Sequence, residues 1–328
     1  MSLRALFAAC CFSFALLHGV GAGAEELNIY LKTTPALGLL RPFADPVNIS
    51  LLVTHADGRP VEQGRVDIVL DAPKSGAFFS TDFPVVEGSR LLELVLPLRQ
   101  GRAGWKYLFP IRGDYHLSLS VTAADGGLTA KNFVIPIREN RAKWLWLGLF
   151  CTGLFVLGFA AGRIFTAIPA AAMLSLLLIG GAISTVSGHG GPSSVVKDSS
   201  SSSTLEIAAA TVGKPTRLRW RATDGAVRSQ LLSLAITHLE KRKTVFAIDK
   251  VPVDKEYLLE FHFPDGAEYR VNSIVEAPGE EPLRTEQLVA VSGVEPPVTA
   301  QMPALVFFLT LTALGLGSGR FSKISRAR

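Results

Sequence analysis

"WLWLGLFCTGLFVLGFAAG", Trp144 to Gly162, is the stretch on which the reading of this chain turns. It carries no charge over 19 residues, enough for a helix to cross a hydrocarbon core, and two tryptophans stand at its leading edge as in an interfacial belt. "RIFTAIP" follows, and a second apolar run extends from Ala167 to Val186. The short connection makes 144–186 a transmembrane helical hairpin, with Pro169 in the first turn of its second helix, where a missing N–H costs little. Residues 187–203, "SGHGGPSSVVKDSSSSS", then read as a flexible Gly/Ser linker. A third span is expected at 302–319. It runs into a basic tail at 320–328, "RFSKISRAR", whose cations mark a cytoplasmic end.

The bulk numbers agree with a membrane protein. Of 328 residues, 48% are hydrophobic and 19% charged, and the mean hydropathy is +0.32. The net charge of +5 comes largely from arginines beside apolar segments. It reads as topology, and no nucleic-acid-binding motif accompanies it. The N-terminus reads as a secretory signal peptide, 1–24, with Arg4, an apolar core from Leu6 to Leu17 and the small-x-small site Ala22-Gly23-Ala24. Cys10, Cys11 and Cys151 all lie in apolar runs, which leaves no disulfide framework. A cleaved signal puts the first domain outside, and the hairpin returns the chain to that side. The expected localisation is therefore the cell (inner) membrane, multi-pass, with the bilayer as one partner and both β domains extracytoplasmic. Arg138, Arg141 and Lys143 run against this orientation; the signal outweighs them, because a preceding domain translocates largely regardless of local charge.

Residues 26–138 look all-β. "VNISLLVT" (Val47–Thr54), "GRVDIVLDA" (Gly64–Ala72), "SRLLELVLPL" (Ser89–Leu98), "DYHLSLSVTA" (Asp114–Ala123) and "KNFVIPI" (Lys131–Ile137) are short apolar runs, several of them alternating. Turn signals such as "ADGRP", "RQGRAG" and "ADGG" separate them. Residues 204–293 repeat the character with "TRLRWRAT", "LLSLAITHLE", "KTVFAID" and "EYLLEFHFPDGAEYRVNSIVEA". The expected fold class is all-β extracytoplasmic domains, two immunoglobulin-like β-sandwiches, plus three transmembrane α-helices.

The two domains look like distant copies. "LLVTHADGRPVEQGRVDIVL" (Leu51–Leu70) aligns loosely with "LAITHLEKRKTVFAI" (Leu234–Ile248), which places His55 opposite His238. "DYHLSLSVTAADGG" echoes "EYLLEFHFPDGAEY", which places Tyr115 opposite Tyr257.

The second copy, "THLEKRKTVFAI…EYLLEFHFPDGAEYRV", resembles the YtkA-like periplasmic modules, which are similar to domains attached to heavy-metal and copper handling systems. The resemblance covers Leu234 to Ala277 and, more faintly, Val47 to Ile137. It implies an assembly concerned with metals. The family pattern often has a histidine after the Asp-Gly turn, where this chain has Tyr269.

Metal ligation is the sharpest chemistry the residues offer. His238 with Glu240, and Glu260 with His262, would each share a strand face, and on neighbouring strands they could form an N/O site for copper(II) or zinc. His55 is a further candidate, and His189 sits in the linker. The alternative is histidines at strand ends, hydrogen-bonded to turns. The β domains hold neither cysteine nor methionine, which speaks against a copper(I) site. No catalytic motif appears: there is no G-x-S-x-G elbow, and Ser199–Ser203 is low complexity. No cofactor and no small-molecule substrate is expected. The spans hold no acidic or histidine side chain in their interiors, but Gly158/Gly162 and Gly315/Gly319 form two G-x-x-x-G patterns suited to close helix packing.

These residues lead to an expectation of a non-enzymatic accessory protein whose outer domains bind a partner protein of a membrane assembly. A metal-binding or delivery protein and a cell-envelope or adhesion module are the alternatives.

Overall fold

The computed structural model describes residues 27–76, 80–164, 203–222, 230–295 and 298–324. The signal peptide, the second apolar run, nearly all of the linker and the last four residues of the tail lie outside the described residues.

The described chain is antiparallel β with two long helices. Strands β1 (Asn28–Thr34), β2 (Val47–Thr54), β3 (Gln63–Asp71), β4 (Arg90–Arg99), β5 (Arg102–Tyr107), β6 (Gly113–Ala123) and β7 (Leu128–Ile137) precede α1 (Arg141–Ile164). Then come β8 (Ser203–Ile207), β9 (Pro215–Ala222), β10 (Gln230–His238), β11 (Lys243–Val253), β12 (Glu256–His262), β13 (Glu268–Glu276), β14 (Leu283–Ala290) and α2 (Val298–Ile324). The apolar alternation of the sequence becomes alternating burial. Val47, Ile49, Leu51 and Val53 face inward on β2; Tyr115, Leu117, Leu119 and Val121 do so on β6; Leu218 and Trp220 do so on β9.

The pairing order is the organising feature. In the first half β1-β2-β5 pair as one group and β4-β3-β6-β7 as another. In the second half β8-β9-β12 and β11-β10-β13-β14 repeat the same order. The halves are not separate. β4 pairs with β12 and β5 pairs with β11, so all fourteen strands join one hydrogen-bonded network. Buried residues of both halves belong to a single hydrophobic core. The flexible linker expected at 187–203 would suggest two domains that move independently. Backbone pairing across the seam prevents it, and such pairing leaves no mark in the local pattern of either strand.

The duplication is legible, but with other partners than the sequence suggested. By pairing order β2 corresponds to β9 and β3 to β10. The turn carrying His55 (β2–β3) and the turn after His238 (β10–β11) are therefore not equivalent, nor are Tyr115 and Tyr257. The true register shows at the seam. Leu92 pairs with Phe261, and Phe246 pairs with Tyr107. One sequence displacement carries Leu92 to Phe246 and Tyr107 to Phe261, so the two cross-pairs are related by a pseudo-twofold exchange. The same displacement carries "YLFPIRGDY" (107–115) onto "FHFPDGAEY" (261–269).

Short turns hold the register. The β4–β5 hairpin turns on Gln100 and Gly101, both at positive φ, the requirement of a type I′ turn. A Cβ on Gly101 would also collide with the Val53 carbonyl. Of the turn signal "RQGRAG", only Gln100 and Gly101 form the turn, since β5 begins at Arg102.

Candidate functional site

The seam is lined by rings. Tyr115 packs on Phe109 (4.8 Å between centroids), Phe109 on Tyr107 (5.2 Å) and Tyr107 on Phe261 (6.4 Å). Phe261 then meets Phe263 (5.0 Å), and Phe263 meets Tyr269 (4.7 Å). The path is symmetric in position, with Tyr107 and Phe261 exchanging places at its centre. Each terminal tyrosine reaches four residues back. The Tyr115 hydroxyl donates to the Ile111 carbonyl (2.8 Å) and accepts from the Ile111 N–H (2.9 Å), whereas the Tyr269 hydroxyl donates to the Asp265 carboxylate. Such tyrosine corners fix the crossing into the following strand. Burial pushes both phenols well above their ordinary pKa, with the Asp265 charge adding to the effect at Tyr269.

His238 and His262, the sequence's ligand candidates, lie in different parts of this seam. Their strands, β10 and β12, do not pair with each other. The His262 Nε2 accepts the Gly213 N–H (2.9 Å), and its Nδ1 faces the Arg90 carbonyl and the Ser89 hydroxyl, each at 3.2 Å. With Nε2 accepting, the proton sits on Nδ1. Burial lowers the pKa of this ring below its ordinary value, although the Arg90 carbonyl favours the charged form. His238, fully buried, accepts the Lys241 N–H at Nδ1 (3.3 Å) and donates from Nε2 to Asp265 (3.2 Å). Both imidazoles thus spend both nitrogens on protein partners. Asp265 also takes the Lys241 ammonium (2.6 Å), which stacks over the Phe43 ring at 3.8 Å. Burial opposes the Asp265 charge, but hydrogen bonds from His238, Lys241 and Tyr269 hold its carboxyl well below the usual carboxylate range.

The remaining candidates are scattered. Glu260 pairs with Arg217 (2.7 Å). Glu240 lies in the turn after β10 rather than on its face, because the strand ends at His238. His55 sits at the β2–β3 turn, where its N–H bonds the Arg59 carbonyl (2.8 Å). His189 lies outside the described residues. Among the described residues no group of three or more His, Cys, Asp or Glu side chains is placed to hold a metal. Asp265, Lys241 and Gly213 went unnoticed in the sequence. The repeated aromatic-x-Phe-Pro-x4-Tyr pattern at 107–115 and 261–269 was the signal that could have located this seam.

All four glycines lie in the contact between α1 and α2. Gly158 packs where a Cβ would stand 2.5 Å from the Thr312 carbonyl oxygen, and Gly162 lies against Leu316. Gly315 lies against Phe155 and Gly319 against Phe159, both on backbone atoms. Phe150 and Phe308 pack edge to face at 5.4 Å on the same side. The order of these contacts makes α1 and α2 parallel. Asn140 caps α1, its Oδ1 accepting the Ala142 N–H (3.1 Å). Lys143 binds Asp82 (2.6 Å), and the Ser80 hydroxyl donates to the Ala300 carbonyl (3.1 Å). Both helices are therefore tied at their N-terminal ends to the β3–β4 connection. Each is long and apolar enough to cross a membrane, with mean hydropathies of 1.9 and 1.6, and 11% of each apolar window is buried inside the structure.

No family model matches the chain, and no curated protein matches it in sequence. Two of the solved structures that match the chain illustrate the level of likeness. Dimeric latent PorU from Porphyromonas gingivalis is 8% identical with a TM-score of 0.27, and the match covers 83% of this chain and 25% of that one. The native conformation of alpha-2-macroglobulin from E. coli is 11% identical with a TM-score of 0.26, over 84% and 17%. This chain spans a quarter or less of either protein. A likeness at this level carries no argument about fold or function.

Proposed function

We propose that this chain is a membrane-anchored accessory protein. Two immunoglobulin-like sandwiches, fused edge to edge on the extracytoplasmic side, present a rigid surface to a partner protein of a membrane assembly. The observation that carries the reading is the parallel helix pair. Trp146, Leu149, Leu157, Ile164, Leu305 and Phe321 are exposed on it, and lipid or another membrane subunit is what covers such a surface. Because both helices leave the β body in the same direction, two membrane crossings require a return between them. The sequence expects that return at 167–186. The sandwich reading rests on the repeated 1-2-5 and 4-3-6-7 pairing order, with a tyrosine corner in each copy.

The test is fractionation with topology mapping. The full chain should remain in the membrane after alkaline carbonate, and a phosphatase fused after residue 138 should be active outside. Fused at residue 328, it should be inactive. A mild-detergent extract should hold the chain in a complex of defined stoichiometry. Release by carbonate would refute the membrane reading; a chain that remains but runs alone would refute the adaptor role.

A further inference from the structure

At the junction of the β body and α1 lies an open cavity of about 900 Å³. Five cationic side chains line it: Arg41, Lys74, Arg112, Arg138 and Arg141. Two carboxylates, Asp114 and Glu139, oppose them. Glu139 is already engaged by Arg112 (3.4 Å) and by Lys143 (3.7 Å). Among the described residues no carboxylate lies within ion-pair distance of Arg41, Lys74, Arg138 or Arg141. Arg41 instead donates to the Leu40 carbonyl at 2.8 Å. A cavity with this surplus of guanidinium groups suits a phosphate, whose oxygens accept their forked donors.

The position decides which phosphate. Trp144, a lining residue with Arg112 at 5.6 Å over its ring, stands in the first turn of α1, where the sequence places the interfacial belt. The short helical turn Leu37–Leu39 contributes Gly38 to the wall and leaves Leu39 68% exposed beside it. Apolar side chains at the rim and cations within are the arrangement that admits a headgroup while its acyl chains stay in the bilayer.

We propose that this cavity binds the phosphodiester headgroup of an anionic phospholipid from the extracytoplasmic leaflet. The proposal rests on the membrane reading above. It also gives Arg138 and Arg141, which run against the positive-inside pattern, a role other than topology.

The experiment uses the full chain, reconstituted in phosphatidylcholine alone or in an equimolar mixture with phosphatidylglycerol, extracted into mild detergent and weighed intact by native mass spectrometry. One phosphatidylglycerol per chain should be retained in preference to phosphatidylcholine. Retention should fall roughly five-fold for each cation removed in the series Arg41→Gln, Arg138→Gln, Arg141→Gln. Removing three exposed cations elsewhere, in Arg99→Gln/Arg102→Gln/Lys106→Gln, should leave it unchanged. Equal retention of both lipids, or equal loss in both variant sets, would overturn the proposal. Inorganic phosphate held as firmly in lipid-free detergent would assign the cavity to a free anion and overturn it too. A chain released by alkaline carbonate would take the membrane reading down with it, whereas a membrane-bound chain without lipid preference would refute this inference alone.

Discussion

Replacing His262 by alanine separates a structural histidine from a ligand. The ring joins three segments: the turn at Gly213, the start of β4 at Arg90, and β12, which carries it. His262→Ala leaves the Gly213 N–H and the Arg90 carbonyl without their partner, and each such group costs about 1–3 kcal/mol when water cannot replace it. The Gly213 turn is only partly buried, so water recovers some of this, and a net loss of about 2–4 kcal/mol is expected, including the void left by the ring. For a β body of this size that corresponds to roughly 5–15 °C in Tm. The assay is thermal unfolding of the full chain in mild detergent, followed by tryptophan fluorescence. The pH dependence adds a second check. Burial keeps the folded-state pKa of His262 below the value of about 6.5 it has when unfolded. Its contribution is therefore complete above about pH 6.5 and is lost as pH falls from there toward the folded-state pKa. The native chain should lose stability on acidification through this window while His262→Gln does not, so the gap between them narrows. An unchanged Tm in His262→Ala, or a gap that widens with acid, would refute the reasoning. A chelator that destabilised the native chain but not the variant would show that the ring holds a metal instead.

Other consequences follow from the same geometry. Gly315→Leu should force α1 and α2 apart, costing about 1–3 kcal/mol. Gly317→Leu, where an added Cβ meets nothing, should leave thermal unfolding in mild detergent unchanged and so serves as its control. Tyr115→Phe strands the buried Ile111 N–H and should cost about 1–3 kcal/mol in chemical denaturation. Tyr269→Phe should cost less, because His238 and Lys241 still satisfy Asp265. Residues 203–295 expressed alone expose the pairing edges of β11 and β12. Since Phe246 and Phe261 stand in the places of Leu92 and Tyr107, two such fragments should pair with each other, giving a dimer in light scattering that Phe261→Asp disperses.

Much of the fold was written locally. The run Val47–Thr54 coincides with β2, and Asp114–Ala123 falls within β6, because period-two alternation reports a half-buried strand whatever its partners are. The uncharged stretch from Trp144 defines α1 by length and composition alone. Four strands lie outside the apolar runs of the sequence, among them "STLEI" (β8), next to the serine run, and "LRTEQLVA" (β14), whose polar residues mask its alternation. "NIYLKTT" (β1) mixes polar residues into its alternation, and "RAGWKY" (β5) overlaps the turn signal "RQGRAG". The candidate site was less legible. The sequence offers His238 and His262 as ligands of one metal. The structure puts them on strands that do not pair with each other, and each ring bonds protein partners through both nitrogens.

Most strands, the apolar helices and the glycine faces between α1 and α2 are written in the chain locally, since propensity, hydrophobic periodicity and small-residue spacing act over a few neighbours. Which segments belong together is a property of the folded chain alone. That Leu92 finds Phe261 and Tyr107 finds Phe246 depends on edge strands distant in sequence, whose hydrogen-bonding groups are the same at every residue and so carry no label of their partner. The same holds for the cavity beside Trp144. Its five cations come from four separate stretches of the chain, and their common charge became a site only when the fold set them around one space.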